Sequence, residues 1–141
     1  RAGHTVERER TGTGTSAAEF ARIRRRADAA DLVVVSAYVT PREYRGSVEA
    51  GGAFATFVES LAASGKPTVV VSFGSPYLLR AFPSVGTYLL AWGPAEVSQA
   101  AAADALLGRA PIGGRLPVSL PPLHARGAGV TRPAAGAVAS N

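Results

Sequence analysis

The sequence predicts an α/β fold: a three-layer α/β/α sandwich built on a mostly parallel sheet. Three observations carry this. The runs "DLVVVSAYV" (31–39) and "TVVVSF" (68–73) are almost wholly apolar and β-branched, which suits strands covered on both faces, as parallel strands are. Between and around them lie segments whose apolar residues recur three and four apart, the period of a helix. The two kinds alternate along the chain, and that order belongs to a parallel sheet with helices on its faces.

The elements follow in turn. "GHTVERER" (3–10) alternates and reads as an edge strand. "TGTGT" breaks the chain. "SAAEFARIRRRADAA" (16–30) reads as a helix. Ser16 and Glu19 form the S-x-x-E capping box, in which each side chain satisfies a free backbone N–H of the first turn. Phe20, Ile23 and Ala27 mark the inward stripe, and Arg22, Arg25 and Arg26 fall mostly off it. After the 31–39 strand, residues 40–52 form a loop. "AFATFVESLAAS" (53–64) is a helix with Phe54, Phe57, Val58 and Leu61 on one face, stopped by Gly65 and Pro67. The 68–73 strand leads into a turn and short helix, 74–85. "TYLLAW" (87–92) is a third core strand. "PAEVSQAAAADALLG" (94–108) is a helix with Pro94 suited to its first turn and Gly108 at its end. "RLPVSLP" (115–121) reads as a last strand, placed at an edge by Pro117. The domain is expected to span 1–122, with 123–141 as a loose, Gly- and Ala-rich tail.

At 141 residues and 47% apolar, the chain has the size of one domain with a real core. It has no cysteine, which excludes disulfides and thiolate metal sites. No apolar run approaches the ~20 residues that span a bilayer, so no membrane partner is expected. The net charge of +5 comes from arginine, with Lys66 the only lysine and seven arginines in the first 26 residues. That basic stretch carries no interleaved aromatics and no nucleic-acid motif, so it is read as a solvated helix face, with no nucleic-acid partner. The chain begins at Arg1 and contains no methionine, and is expected to be a piece of a longer one, incomplete at its N-terminus. Compartment is therefore not readable.

Several motifs invite chemistry. "GTGTSA" (12–17) fits G-x-G-x-x-A before a helix, the pattern that brings a backbone close to a pyrophosphate. The segment before it is charged where a first Rossmann strand is apolar, and Asp31 opens the next strand instead of closing it. A turn and a capped helix is the preferred reading. "GGR" (113–115) leads into a strand, whereas a phosphate loop leads into a helix. "FGSPY" (73–77) is not a nucleophile elbow. His4 and His124 stand near opposite ends of the chain and make neither a triad nor a metal site by spacing. No metal and no cofactor is implied. The 40–52 loop differs, because it leaves the carboxyl end of a buried strand, where open α/β sheets hold ligands. It carries Arg42, Glu43, Tyr44, Arg45 and Glu49. It is either a solvated charged loop or one that reaches a ligand or another domain.

Taken together, "ADLVVVSAYV", "KPTVVVSFGSPYLLRAFP" and "TYLLAWGPAEVSQAAAADALLGRAPIGGRLPVSLP" resemble the C-terminal domain of glycoside hydrolase family 3, over roughly residues 28–122. The bacterial, β-N-acetylglucosaminidase-like branch is the nearest in appearance. The most specific part runs from Trp92 to the A-x-x-L-x-G and P-x-x-G-x-L-P-V patterns and the final proline. On this resemblance "GRAPIGGRLPVSLP" is scaffold, the exit from the last helix into a closing strand.

The resemblance implies a partner: an N-terminal (β/α)8-type barrel of the same parent chain, with the carbohydrate substrate at its mouth. The nucleophilic Asp would belong to that barrel. A retaining mechanism needs two carboxyl groups ~5–5.5 Å apart, so this chain would supply at most one. In the β-glucosidase-like branch the acid/base Glu follows the strand that resembles "ADLVVVSAYV", and Glu43 stands at about that place. In the acetylglucosaminidase-like branch a barrel His takes the duty. Glu43 is thus the catalytic candidate, and Arg42 and Arg45 are candidates for substrate or barrel carboxylates. The expected function is support of O-glycosyl hydrolysis by the parent enzyme, with the fragment inactive alone. The alternative is a standalone α/β binding or interaction module without catalysis.

Overall fold

The computed structural model describes residues 3–39 and 52–136. Helix α1 (Ala17–Ala29) leads to β1 (Val33–Ala37), α2 (Gly52–Ala63), β2 (Thr68–Ser72), a 3₁₀ turn (Pro76–Ala81), β3 (Thr87–Leu90) and α3 (Glu96–Leu106). The strands form one sheet in the order β1-β2-β3, and both pairings are parallel. The fold is α/β, as the alternation of patterns predicts.

Residue parity sorts the sheet into two faces. Ala37 and Val70 pack with Val58 of α2 and with Leu78, Leu79, Phe82 and Val85 in one cluster. Val71 and Phe73, on the opposite face, pack with Ala102 of α3. Ala102 is the buried residue of α3. Outside α2, Phe20 of α1 meets Phe57 with ring centroids 5.2 Å apart. The capping box of α1 is formed: the Ser16 hydroxyl accepts from the Glu19 N–H, and Glu19 Oε2 accepts from the Ser16 N–H at 2.7 Å. At its other end, Lys66 Nζ donates to the carbonyls of Asp28 and Ala30, both at 2.8 Å.

Four expectations change. The segment 3–10 joins no ladder. Its alternation is real but sorts charge instead of burial: Glu7 and Glu9 fall on one side and reach the arginines of α1. Arg22 donates to both Glu9 oxygens at 2.7 and 2.8 Å, Arg26 pairs with Glu7 at 2.7 Å, and Arg26 also pairs with Glu9. The segment 115–121 is likewise no strand of the sheet. Pro117 and Pro121 have no N–H to offer a ladder, and the chain folds back on itself. Leu116 bonds to Ala128 and Gly127, and Leu120 exchanges two bonds with His124. Buried Leu120 and the Arg80 guanidinium, which donates to the Pro121 carbonyl at 2.8 Å, fasten this strap to the core. Residues 123–136, read as loose, are tied down as well. Ile112 and Arg132 form an antiparallel bridge, and the Ala135 N–H donates to the Gly108 carbonyl at 2.6 Å. Gly108 has φ +69°, and a Cβ there would lie 3.1 Å from the Ala135 methyl, so it serves both as helix stop and as contact point.

The 31–39 run was also expected to be covered on both faces. One face of β1 is. On the other, Leu32, Val34 and Tyr38 remain substantially exposed: Ala102 of α3 packs over β2 and β3, and Gln99 bonds to Tyr38 just past the end of β1.

Candidate functional site

Parallel strands present their carboxyl ends at one edge of the sheet, and these edges hold ligands in open α/β folds. Here that edge comprises Tyr38 and Val39 after β1, Phe73 to Ser75 after β2, and Ala91 to Gly93 after β3. It is built as a rigid row. The Tyr38 ring stacks on Phe73, with centroids 4.8 Å apart and planes 13° from parallel. Its hydroxyl donates to Gln99 Oε1 at 3.1 Å, while Gln99 Nε2 donates to the Pro94 carbonyl at 2.8 Å. The end of β1 is thereby tied to the start of α3.

Behind this row a buried polar cluster fixes the turn after β2. The Ser72 hydroxyl and the Tyr88 phenol both donate to the Ser75 carbonyl, at 3.1 and 3.3 Å. The Ser75 hydroxyl accepts from the Tyr77 N–H, and the Ser75 N–H donates to the Val39 carbonyl. Burial pushes the Tyr88 phenol up, so it stays a neutral donor. "FGSPY" is therefore a structural corner whose serine, like Ser72 just before it, bonds to backbone groups.

After β3 the backbone makes an unusual turn. Trp92 has φ +63°, and the Gly93 N–H donates across it to the Ala91 carbonyl at 2.8 Å. An i→i+2 bond around a positive-φ residue is the strained form of the γ-turn.

The sequence candidates Arg42, Glu43 and Arg45, with Tyr44 and Glu49, lie outside the described residues. Val39, the last described residue before them, stands at this same edge.

The other motifs take definite places. In "GTGTSA" the Gly12 N–H donates to Thr15 Oγ1 and the Thr15 N–H to the Gly12 carbonyl. The Glu19 carboxylate occupies the start of α1, where a pyrophosphate would sit, and its bonds to Ser16 hold it below its ordinary range. "GGR" lies in the strap, where Arg115 donates to the Gly114 carbonyl and to Thr131 Oγ1. His124 belongs to the Leu120 turn, and His4 to the extended N-terminal segment. Among the described residues no three His, Cys, Asp or Glu group to hold a metal. Arg22, Arg24 and Arg26 are each engaged by a carboxylate, which fits a solvated helix face. No described helix is long and apolar enough to cross a membrane. A shallow, open depression of about 550 Å³ runs along α2 past Ala55, Thr56, Glu59 and Ser60, away from the strand ends. Its one carboxylate, Glu59, accepts from the Ser84 N–H at 3.3 Å.

Sequence reasoning passed over Trp92 as a site residue. The only available signal was a large aromatic directly after a core strand, in "AWGP"; the sign of its φ has no sequence signature.

A parallel sheet with helices packed on it defines an α/β domain, not one activity. Residues 5–134 match the sequence model of the glycosyl hydrolase family 3 C-terminal domain, and the chain belongs to that family. No curated protein matches the chain, and neither does any solved structure.

Proposed function

We propose that this chain is the sandwich half of a retaining family 3 glycosidase. The parent enzyme would hydrolyse a β-linked hexose or N-acetylhexosamine, with an N-terminal barrel supplying the nucleophilic Asp. The observation that carries this is the family match over residues 5–134. Val39, the last described residue before Arg42, Glu43 and Arg45, stands at the carboxyl edge of the sheet, which supports this reading.

In this reading Glu43 protonates the leaving oxygen and then activates water, as the second carboxyl of a retaining pair does. Arg42 and Arg45 meet substrate or the carboxylates of the barrel. The domain extends past Pro122, since residues 123–136 hold the strap and the Gly108 turn.

The test is Glu43→Gln in the parent gene product. Loss of the acid is expected to lower kcat by about 10²–10⁴-fold on substrates with poor leaving groups. Aryl glycosides with good leaving groups should be much less affected in the first step, and added azide should restore turnover as a glycosyl azide of retained configuration. Unchanged activity of Glu43→Gln would assign the proton to a barrel residue. The 141-residue chain alone is expected to show no turnover on the same substrates.

A further inference from the structure

We infer that Trp92 is a stacking platform for a pyranose ring at the carboxyl edge of the sheet, which rests on the carbohydrate reading above. A bulky residue at φ +63° is strained, and such strain persists only where the surroundings over-determine it. Glycine adopts this conformation freely, yet the glycine of "AWGP" stands one position too late. Gly93 does not have a positive φ, and a Cβ added there would meet only Ser98 Oγ, at 3.9 Å. The chain thus spends its large aromatic on the strained position and its glycine on the easy one.

Core packing does not account for that choice. Trp92 is 50% exposed and belongs to neither buried cluster. The aromatic pairs of the described residues are Phe20–Phe57, Tyr38–Phe73 and Phe54–Phe82, and the indole is in none of them. What the turn achieves is placement. It stops β3 at once and places Trp92 at the same end of the sheet as Tyr38 and Val39.

The chemistry of that position favours a sugar. A β-configured pyranose with equatorial hydroxyls presents a face of axial C–H bonds, weakly positive and apolar. An indole face is large, apolar and negative. Half-exposed Tyr38, fixed by Phe73 and Gln99, adds a second aromatic at the same edge with a hydroxyl already oriented. Stacking there would orient the ring and leave bond cleavage to the carboxylates.

Trp92 is the only tryptophan in the chain, so its fluorescence and its single indole N–H resonance report on this position alone. The experiment titrates the 141-residue chain with cellobiose, with N,N′-diacetylchitobiose and with sorbitol as an acyclic control, into the high millimolar range. A saturable blue shift and a progressive movement of the indole resonance with a disaccharide, absent with sorbitol, are expected. No saturable change with either disaccharide, or the same change with sorbitol, overturns the proposal.

A second variant separates placement from packing. Trp92→Gly should melt at or above the temperature of the unaltered chain and lose disaccharide binding by calorimetry. A lower melting temperature would make the indole a structural residue and overturn the proposal. Sugar binding without glycosidase activity in the parent would sink the enzyme reading and leave this one standing. Glycosidase activity with a silent Trp92 would do the reverse.

Discussion

Val34 and Val69 are partners in the β1–β2 ladder and point to the same face of the sheet. Val69 packs into the cluster beneath α3, whereas Val34 is 47% exposed. The residue type and the face are the same; Val69 has a strand on either side and α3 above, whereas Val34 stands on the edge strand β1 beyond the reach of that cluster. The opposite face repeats the lesson in reverse. There α2 and the 3₁₀ turn cover the sheet, and Val58, Val70, Leu78 and Phe82 are fully buried. A valine-rich run specifies a strand; which of its faces is dry depends on where the next helix lands.

The comparison can be broken most severely on the closed face. Phe82 is fully buried and meets Phe54 edge-on at 6.4 Å. Phe82→Ala is expected to cost about 3–5 kcal/mol, read by denaturant unfolding. That is a large share of the ~5–15 kcal/mol that holds a domain of ordinary stability.

The valine pair itself gives the next test. Val69→Thr places a hydroxyl beneath α3 and should cost about 1–3 kcal/mol. Val34→Thr exchanges the same groups at a wet position and should stay within about 0.5 kcal/mol. Equal effects at the two sites would mean that Val34 is covered in solution. The outer layer ranks between them. Ser16→Ala removes the cap of α1, which leans on α2 through Phe20, and should cost about 1 kcal/mol.

The smallest effect belongs to the N-terminal segment, which Glu7 and Glu9 attach to α1 through exposed ion pairs. The Arg22 hydrogen bonds, with the neighbouring Arg26 charge, hold Glu9 down at about 2. Because the folded value is depressed, the attachment is complete above the ordinary carboxylate range and weakens as pH falls towards about 2. The pairs are solvent-exposed, so salt should weaken them too. Proteolysis near Val6, faster in acid or high salt while the melting temperature barely moves, is the readout.

Much of the fold was legible in the sequence. β1 and β2 carry β-branched runs, β3 a short apolar one, and α1 and α2 carry their apolar stripes at helical spacing. What misled was periodicity without a partner. "TVERER" alternates like a strand, but its two faces divide acid from base, and Glu7 and Glu9 answer to α1 instead of a ladder. "RLPVSLP" alternates too, but its prolines remove the donors a ladder needs, and it becomes a strap around Leu120. The site was legible only as a location, the carboxyl edge. The Tyr38–Gln99 bond joins residues 61 positions apart, and no local pattern announces such a meeting. Trp92 was hidden for a different reason: a strained φ is imposed by the path of the chain and has no residue signature except at glycine.

The ammonium of Lys66, which closes off the end of α1, has a practical consequence. Lys66 is the only lysine in the sequence, so the chain offers a single side-chain amine to acylating reagents. That amine is engaged by the Asp28 and Ala30 carbonyls. Its labelling rate therefore becomes a one-site clock for the undocking of α1, and mass spectrometry would read it without any engineered probe.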